Sequence, residues 1–555
     1  MSTPRVTVLL MLLTAVTSPL RAQAPATSAA ITARDLMQRL YRIADDSMRG
    51  RDTGSPGDSL TADYVAAEFK RLGLQPAGEH GAWFQTVPFM RVVATSATID
   101  VHDGTPLRAG TDFITIGRPT AAADASEFSV VFGGSANDSS TWISANDAAD
   151  RVVVFDVRRD ASGRVVFGAP ALFNNPRFAR ARGIAVAALG VVDPPLQAAL
   201  TRSRPSLDTT RGSVRPFQLL LTAGAASRMF ATPFSSLKPG APGKRTFTGN
   251  PAPRFAPLAY SARNVVAILP GRDPTVRGEY VSLTAHNDHV GICGAPVDHD
   301  SLRAFNRVYR PMGADTRTWS VTPENDAKVR HLLDSLRTVN PVRPDSICNG
   351  ADDDGSGTVA LLELAEYFAS LPAPQRPRRS LLFVSHVAEE LGLVGSAWYT
   401  DHPTVSMDSI VAEIDEDMIG RGRASDLPDA GPTYLEVVGL RRLSNEFGDV
   451  MEAANAAQPM PFVFNYQFDK PGDPLRYYCR ADHYNYARYG VPSVALSRGE
   501  HLDYHQVTDE PQYIDYDDMA RVVLLVRDAT MRIANLDHPP KLDKPKGDPH
   551  ARCVQ

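Results

Sequence analysis

The chain has 555 residues, 43% of them hydrophobic and 22% charged, with a formal net charge of -5 and a pI near 6.2. That length exceeds one ordinary hydrophobic core, and the ordinary apolar fraction excludes a mainly disordered chain, so several packed units are expected. The mildly negative balance, with no long run of Lys or Arg, leaves no basic face for nucleic acid, which is excluded as a partner.

In chain order, Arg5, the apolar stretch Val6 to Val16 and the small residues around Ala22, Gln23 and Ala24 have the layout of a secretory signal over residues 1–24. Cleavage after Ala22 or Ala24 is expected, with an uncleaved anchor as the alternative. No later stretch approaches the roughly 20 apolar residues of a membrane span. An exported protein, periplasmic or extracellular, with no stable span after signal cleavage follows. Over residues 30–90, Leu36, Leu40 and Ile43, then Tyr64, Val65, Phe69 and Leu72, recur at helical spacing around the turn-rich Gly50 to Asp58, predicting two helices. Residues 91–250 are rich in Ala, Ser, Gly and Thr, with strand-like runs at Phe128 to Phe132, Arg151 to Phe155 and Gly183 to Val192. A smaller, mostly β insert domain is expected there, with Lys238 to Pro253 as the linker out of it.

From 255 to 537 the pattern becomes alternating. Strands are predicted at Val265 to Leu269, Tyr280 to Thr284, Leu381 to Ser385, Ile410 to Ile414 and Ser493 to Ser497. Helices are predicted at Thr358 to Ser370, Glu389 to Tyr399, Arg441 to Ala454 and Tyr516 to Ile533. This is an α/β pattern: a mixed sheet flanked by helices, with reactive groups in loops at the carboxyl ends of strands. Gly294 to Asn349 interrupts the alternation and reads as an irregular loop or lid, and residues 538–555 read as a mobile tail. The four cysteines, Cys293, Cys348, Cys479 and Cys553, allow three full pairings. Cys293 with Cys348 is favoured, each lying beside a candidate ligand segment, and free buried thiols are the alternative.

Five possible metal ligands fall along the alternating region: His286, Asp352, Glu390, Asp417 and His505. Two imidazoles and three carboxylates can hold two divalent metals if one carboxylate bridges, leaving Glu389 as a general base. His286 ends an apolar strand, and Asp288, two residues on, can accept a hydrogen bond from the far imidazole nitrogen and so fix the tautomer. The run Asp352-Asp353-Asp354 before a helix would repel itself in an apolar setting unless a dication were present. A calcium loop is the rival, but the further spaced ligands of an EF-hand are missing. Glu389 and Glu390 sit at a strand-to-helix turn, where adjacent carboxylates face different directions. His289 and His386 lie close to these motifs; they are expected on the surface or behind the ligands, with a place lining the cleft as the alternative.

In this order and with these neighbours, the segments resemble the co-catalytic zinc aminopeptidases, the family that includes bacterial leucyl aminopeptidases and glutamate carboxypeptidase. The resemblance covers roughly Arg34 to Phe89 and Arg263 to Leu536. It implies a zinc-exopeptidase fold of phosphorylase/hydrolase-like type and two Zn2+ per chain. His286 and Asp417 would bind one zinc, Glu390 and His505 the other, and Asp352 would bridge. Asp288 would orient His286, Glu389 would be the general acid/base, and the Asp352–Asp353 peptide would be cis. Tyr478, in Tyr478-Cys-Arg-Ala-Asp-His-Tyr, sits where some relatives carry a tyrosine that polarises the scissile carbonyl, with a packed core tyrosine as the alternative. Asp482 and His483 would support the site, and the Val92 to Thr248 insert looks like a protease-associated domain. The implied activity is removal of amino-terminal residues from peptide substrates. A carboxypeptidase acting on acidic dipeptides, a single-zinc glutaminyl cyclase and an inactive receptor-like peptide binder are the rivals.

Overall fold

The structure, a computed structural model, describes residues 27–93, 98–116, 127–157, 169–190, 205–207, 216–249, 251, 254–313, 316, 318–421 and 431–555. The signal-like segment and the last two residues of the expected strand Gly183 to Val192 lie outside them. The main unit is built on a nine-stranded sheet. Its strands are β1 (Gln75–Pro76), β2 (Phe84–Thr86), β3 (Arg263–Leu269), β4 (Tyr280–His286), β5 (Ser380–His386), β6 (Ile410–Glu416), β7 (Tyr434–Val438), β8 (Val463–Asn465) and β9 (Ser493–Ser497). They run in the order β1-β3-β5-β4-β6-β9-β7-β8, with β2 also on β3. β4 is parallel to both β5 and β6, and β6 is parallel to β9. β3 and β7 join antiparallel, making the sheet mixed. Every residue of β5 and β6 is buried, which is why the centre of β5 reads as a continuous apolar run rather than an alternating one, while β6 buries Glu413, Asp415 and Glu416 among its apolar residues.

Among the described residues, the longer helices that accompany this sheet are α1 (Ala33–Ile43), α2 (Pro56–Arg71), α3 (His299–Tyr309), α4 (Pro323–Arg337), α5 (Gly357–Ser370), α6 (Val394–Asp401), α7 (Asn445–Ala456) and α8 (Tyr516–Ala534). α1 and α2 form where the spacing predicts. Thr32 and Ser55 cap them through their side chains, Pro56 opens α2, and Leu36, Leu40 and Ile43 are fully buried. These two helices pack with α5, α7 and α8 against one face of the sheet in the largest hydrophobic cluster. The other face is covered in part by α6 and the short helix His483–Ala487, around Tyr399 and Tyr486. No described helix is long and apolar enough to cross a membrane.

Between β2 and β3 lies a second sheet of five strands, Phe113–Ile116, Val130–Ser135, Val152–Asp156, Gly183–Val186 and Phe217–Leu221. Its neighbouring strands are parallel except at the first, and it carries hydrophobic clusters on both faces. This region is therefore more α/β in character than the mostly β insert expected, with a helix at Ala223–Phe230 packed on one face.

Three expectations are corrected. The segment 294–349 is ordered secondary structure: strands Gly291–Asp298 and Pro344–Cys348 pair antiparallel and enclose α3 and α4. Val329, Leu332, Leu333 and Leu336 carry the helical period of α4, but the surrounding charge hides it. The helix expected from Glu389 begins only at Val394, because Ala388 and Leu393 take positive φ and turn the chain sharply. The tail is anchored: Cys553 is bonded to Cys479, and the Gln555 side chain accepts from the Tyr478 amide at 3.0 Å and donates to the Phe468 carbonyl at 2.8 Å. Cys293 and Cys348 form the other disulfide, and no described cysteine is free.

Candidate active site

The carboxyl ends of β4, β5 and β6 lie side by side, and each passes directly into a polar segment. His286 closes β4; its amide donates to Asp354 Oδ2 at 3.0 Å and its carbonyl accepts from Thr358 Oγ1 at 2.6 Å. Those bonds fix the backbone, and Nδ1 lies 3.1 Å from the Asp288 carbonyl and 3.6 Å from the Asp288 carboxylate, so Nε2 faces the cleft side. The Asp288 carboxylate accepts from Thr53 Oγ1 at 3.0 Å and from the Glu389 amide at 3.1 Å, tying the loop after α1 to the turn after β5.

The three consecutive aspartates divide their work by direction. Asp352 accepts from the Gly420 amide at 2.6 Å and from His501 Nε2 at 3.0 Å. Asp354 accepts from the amides of His286 at 3.0 Å and Gly357 at 2.9 Å. Only Asp353 stands between the imidazoles. Its Oδ1 is 3.2 Å from His286 Nε2, and its Oδ2 is 2.9 Å from His505 Nε2 and 3.6 Å from His289 Nδ1. The bridging position expected of Asp352 is thus occupied by Asp353, and the cis peptide is Asp353–Asp354 rather than Asp352–Asp353. Both shifts have one cause. Asp509 accepts from the amides of Asp352 and Asp353, and Arg51 donates to the carbonyls of Asn349 at 2.5 Å and Gly350 at 2.8 Å, fixing how the turn rotates. Gly350 has φ +57, and a Cβ there would meet the His289 ring at 2.5 Å.

Two donor groups result: His286, Asp353 and Asp417, and His289, Asp353, Glu390 and His505. In the first, His286 Nε2 is 3.8 Å from Asp417 Oδ1. In the second, Glu390 places Oε1 2.8 Å from His289 Nδ1 and Oε2 3.0 Å from His505 Nε2. His289, expected on the surface or behind the ligands, is fully buried inside the second group; its place three residues beyond His286 was the available signal. His286 Nε2, both His289 nitrogens, Asp353 Oδ2 and Glu390 Oε1 are buried and, though close to one another, make no hydrogen bond of sound geometry. Side chains that crowd without bonding are arranged around a common third partner, and imidazole with carboxylate is the donor set a divalent zinc-like ion takes.

The electrostatics agree. Burial would lower the His505 imidazole, but the Asp353 and Glu390 carboxylates hold it up at about 11, so without a metal these carboxylates are neutralised by protons on imidazole. Burial would raise Glu390, yet the closely placed His289 and His505 imidazoles hold it below its ordinary value. Burial pushes Glu389 well above that range, with Glu390, Asp417 and Asp482 adding repulsion. Glu389 Oε2 lies 3.9 Å from His286 Nε2, at the mouth of the first group. Ala388, Met418 and His505, flanking or carrying these groups, all have left-handed φ, the local strain that recurs at sites held by surrounding structure.

A cleft opens on this centre, lined in part by Asp353, Glu389, Asp417, Tyr477 and Tyr504. Tyr478 is not among its lining residues. It packs beneath the Arg442 guanidinium, 4.1 Å from its ring centroid, and against His483 and Tyr484. In the tight turn Tyr477–Cys479, neighbouring side chains diverge, and Tyr477 takes the cleft side. Tyr504, overlooked in the sequence, stacks on the His505 ring with centroids 3.9 Å apart. Asp482 accepts from Ser396 Oγ, and the His483 amide donates to Asp415 Oδ2 at 3.2 Å, behind the donor groups.

Comparison with known proteins adds the following. Leucine aminopeptidase 1 of Paracoccidioides brasiliensis (strain Pb03) is 31% identical over 255 residues, covering 43% of this chain and 59% of that protein's own length. Aminopeptidase YwaD of Bacillus subtilis is 47% identical over 53 residues, 10% of this chain and 11% of that one. Among solved structures, the aminopeptidase from Aneurinibacillus sp. strain AM-1 overlaps 90% of this chain and 92% of its own, at 15% identity and a TM-score of 0.45. The zinc aminopeptidase BSAP of Bacillus subtilis overlaps 91% and 95%, at 16% identity and a TM-score of 0.45. Residues 264–530, which hold every donor named above, match Peptidase family M28, and the chain therefore carries a peptidase domain of that family.

Proposed function

We propose that this protein is an exported zinc exopeptidase, and specifically an aminopeptidase that holds two zinc ions. The observation that carries this reading is the Asp353 carboxylate, one oxygen 3.2 Å from His286 and the other 2.9 Å from His505, joining two donor groups in one cleft. Asp417 completes the first group, and Glu390 with His289 the second. When bound, paired divalent ions supply Lewis-acid polarisation of a peptide carbonyl and lower the pKa of water.

The chain's own residues then have separable duties. The carbonyl and carboxylate of Asp288 hold the His286 ring so that Nε2 faces the first group. Glu389 starts as a carboxylate whose basicity is raised by burial, accepts the proton of the attacking water and returns it to the leaving amine nitrogen, ending as the carboxylate it began as. Tyr477 and Tyr504 line the cleft, and a phenol there can donate to the carbonyl oxygen as it gains charge, the duty expected earlier of Tyr478. The two disulfides favour an oxidising compartment, consistent with the signal-like start. Residues 91–250 are read as an inserted domain of the protease-associated kind, interrupting the peptidase domain between residues 90 and 255.

The test is a time-resolved mass-spectrometric digest of peptides with free and with acetylated amino ends, beside a chelated control. Stepwise loss of amino-terminal residues from the free peptides only, abolished by chelation, is expected. Carboxyl-end cleavage, glutamine cyclisation or binding without cleavage would overturn the reading. Glu389→Gln should retain its metal and lose about 10²-fold or more in kcat; near-wild-type turnover would remove Glu389 from its role.

A further inference from the structure

We propose that the cleft beside the metal centre is built for a basic amino-terminal residue, with Glu436 pairing with the ammonium or guanidinium at the end of its side chain. This rests on the aminopeptidase reading and adds the substrate class to it. Strand register places the groups. β7 alternates, so Leu435 and Val437 enter the main hydrophobic cluster while Glu436 and Val438 face the opposite side, over the cleft. β9 pairs antiparallel with β7, setting Ser497 beside Glu436 and Ala495 beside Val438. Met418, Val438, Ala495 and the Tyr477 ring therefore give the cleft an apolar wall, and Glu436 a carboxylate. A lysine or arginine side chain has the matching order, an apolar stem followed by a cationic head.

The charges around Glu436 leave it in want of a cation. Among the described residues, the cleft lining holds the carboxylates of Asp353, Glu389 and Asp417, assigned above to the metal centre, and then Glu436 and Glu500 against one cation, Arg480. Arg480 is already engaged with Glu500, Nη2 to Oε1 at 3.0 Å. Glu436 is 1% exposed; its Oε1 accepts from the Tyr434 hydroxyl at 2.5 Å, while its Oε2 is buried with no hydrogen-bond partner. Burial pushes this carboxyl up to about 8, with Glu500 adding repulsion, and neither the Tyr434 hydroxyl nor the nearby Arg480, which both favour the charged form, offsets it. A leucine side chain in the same cleft has nothing to offer Oε2, whereas a buried acceptor left unpaired is costly.

The experiment compares kcat/KM for lysyl, arginyl, norleucyl and leucyl 4-nitroanilides with the metal-loaded wild type and with Glu436→Gln. Norleucine is the informative control, being lysine's stem without its ammonium. The wild type should favour lysyl over norleucyl by about tenfold or more, and Glu436→Gln should bring that ratio close to one. Competition by lysinamide against norleucinamide on the wild type reads the same preference should the variant not fold. Amino-terminal release with no lysine preference, or a preference that survives Glu436→Gln, overturns the assignment and leaves the aminopeptidase reading standing. Release from none of the four substrates by the metal-loaded protein overturns both.

Discussion

Asp352 and Asp353 are chemically identical neighbours, yet one belongs to the backbone and the other to the metal centre. Asp352 is fully buried and spends its oxygens on the Gly420 amide and on His501. Asp353 spends its oxygens on imidazoles from both donor groups. Asp353→Asn should bring the metal content towards none, measured by elemental analysis after gel filtration, because both donor groups lose their shared carboxylate. Asp352→Asn should keep its metal and cost about 1–3 kcal/mol of stability, measured by denaturant unfolding, through one weakened buried acceptor. The reverse pattern would return the bridging role to Asp352. The run of three acids announced a cation in the sequence, but three identical side chains in a row say nothing about which one turns inwards. His289 was hidden for a similar reason, since a histidine three residues beyond a ligand has no fixed direction outside a helix.

Among the elements, the insertion between β4 and α5 depends on one residue at its base. Asp298 caps α3 by accepting from the Ser301 amide at 2.8 Å, accepts from the Arg343 amide at 2.9 Å, and is paired with Arg337 of α4. One carboxylate thus joins the strand, both helices and the returning strand. Asp298→Ala should cost about 2 kcal/mol, a cap together with a partly buried charge pair. Burial alone would raise the Asp298 carboxyl, but these hydrogen bonds hold it well below its ordinary value of 3.8. A depressed folded-state pKa means the contribution is complete above the unfolded value and is lost as pH falls through the folded one. The stability gap between wild type and variant should therefore be level from about pH 5 to 8 and shrink below about pH 4, as read by unfolding at each pH. A gap that widened in acid would place the stabilisation elsewhere. Strands β4, β5, β6 and β9 and helices α5 and α8 lie close to their predicted positions because each buries a long apolar run or a clear helical stripe. Strands β7 and β8 were not anticipated: β7 alternates a glutamate among apolar residues, and β8 has three residues.

For the whole molecule, the carboxyl-terminal segment works as a strap. It returns across the region of Tyr477 and Tyr478 and is fastened by Cys553 to Cys479 over a sequence separation of 74 residues. Closing a loop of that size is worth about 4 kcal/mol in the chain-entropy model. Cys553→Ser, with Cys479→Ser to avoid a stray thiol, should lower the unfolding free energy by up to about that amount and open residues 538–555 to limited proteolysis. Unchanged stability and an unchanged cleavage pattern would show that the tail's hydrogen bonds suffice. Pairing could not be read from cysteine positions alone, since four cysteines admit three arrangements; the favoured Cys293–Cys348 bridge is present, and the second follows from where the tail comes to rest. By itself the sequence determined the class of the fold, the inventory of imidazoles and carboxylates and their placement after strands, because apolar periodicity and ligand chemistry are local properties of a chain. Only the tertiary structure decided which aspartate stands between the imidazoles, that His289 joins them, and that Tyr477 rather than Tyr478 meets the cleft. Those choices are set by contacts such as Asp509 with the Asp352 amide, 157 residues apart in sequence, and no local pattern encodes the direction in which a side chain is turned by a partner so distant.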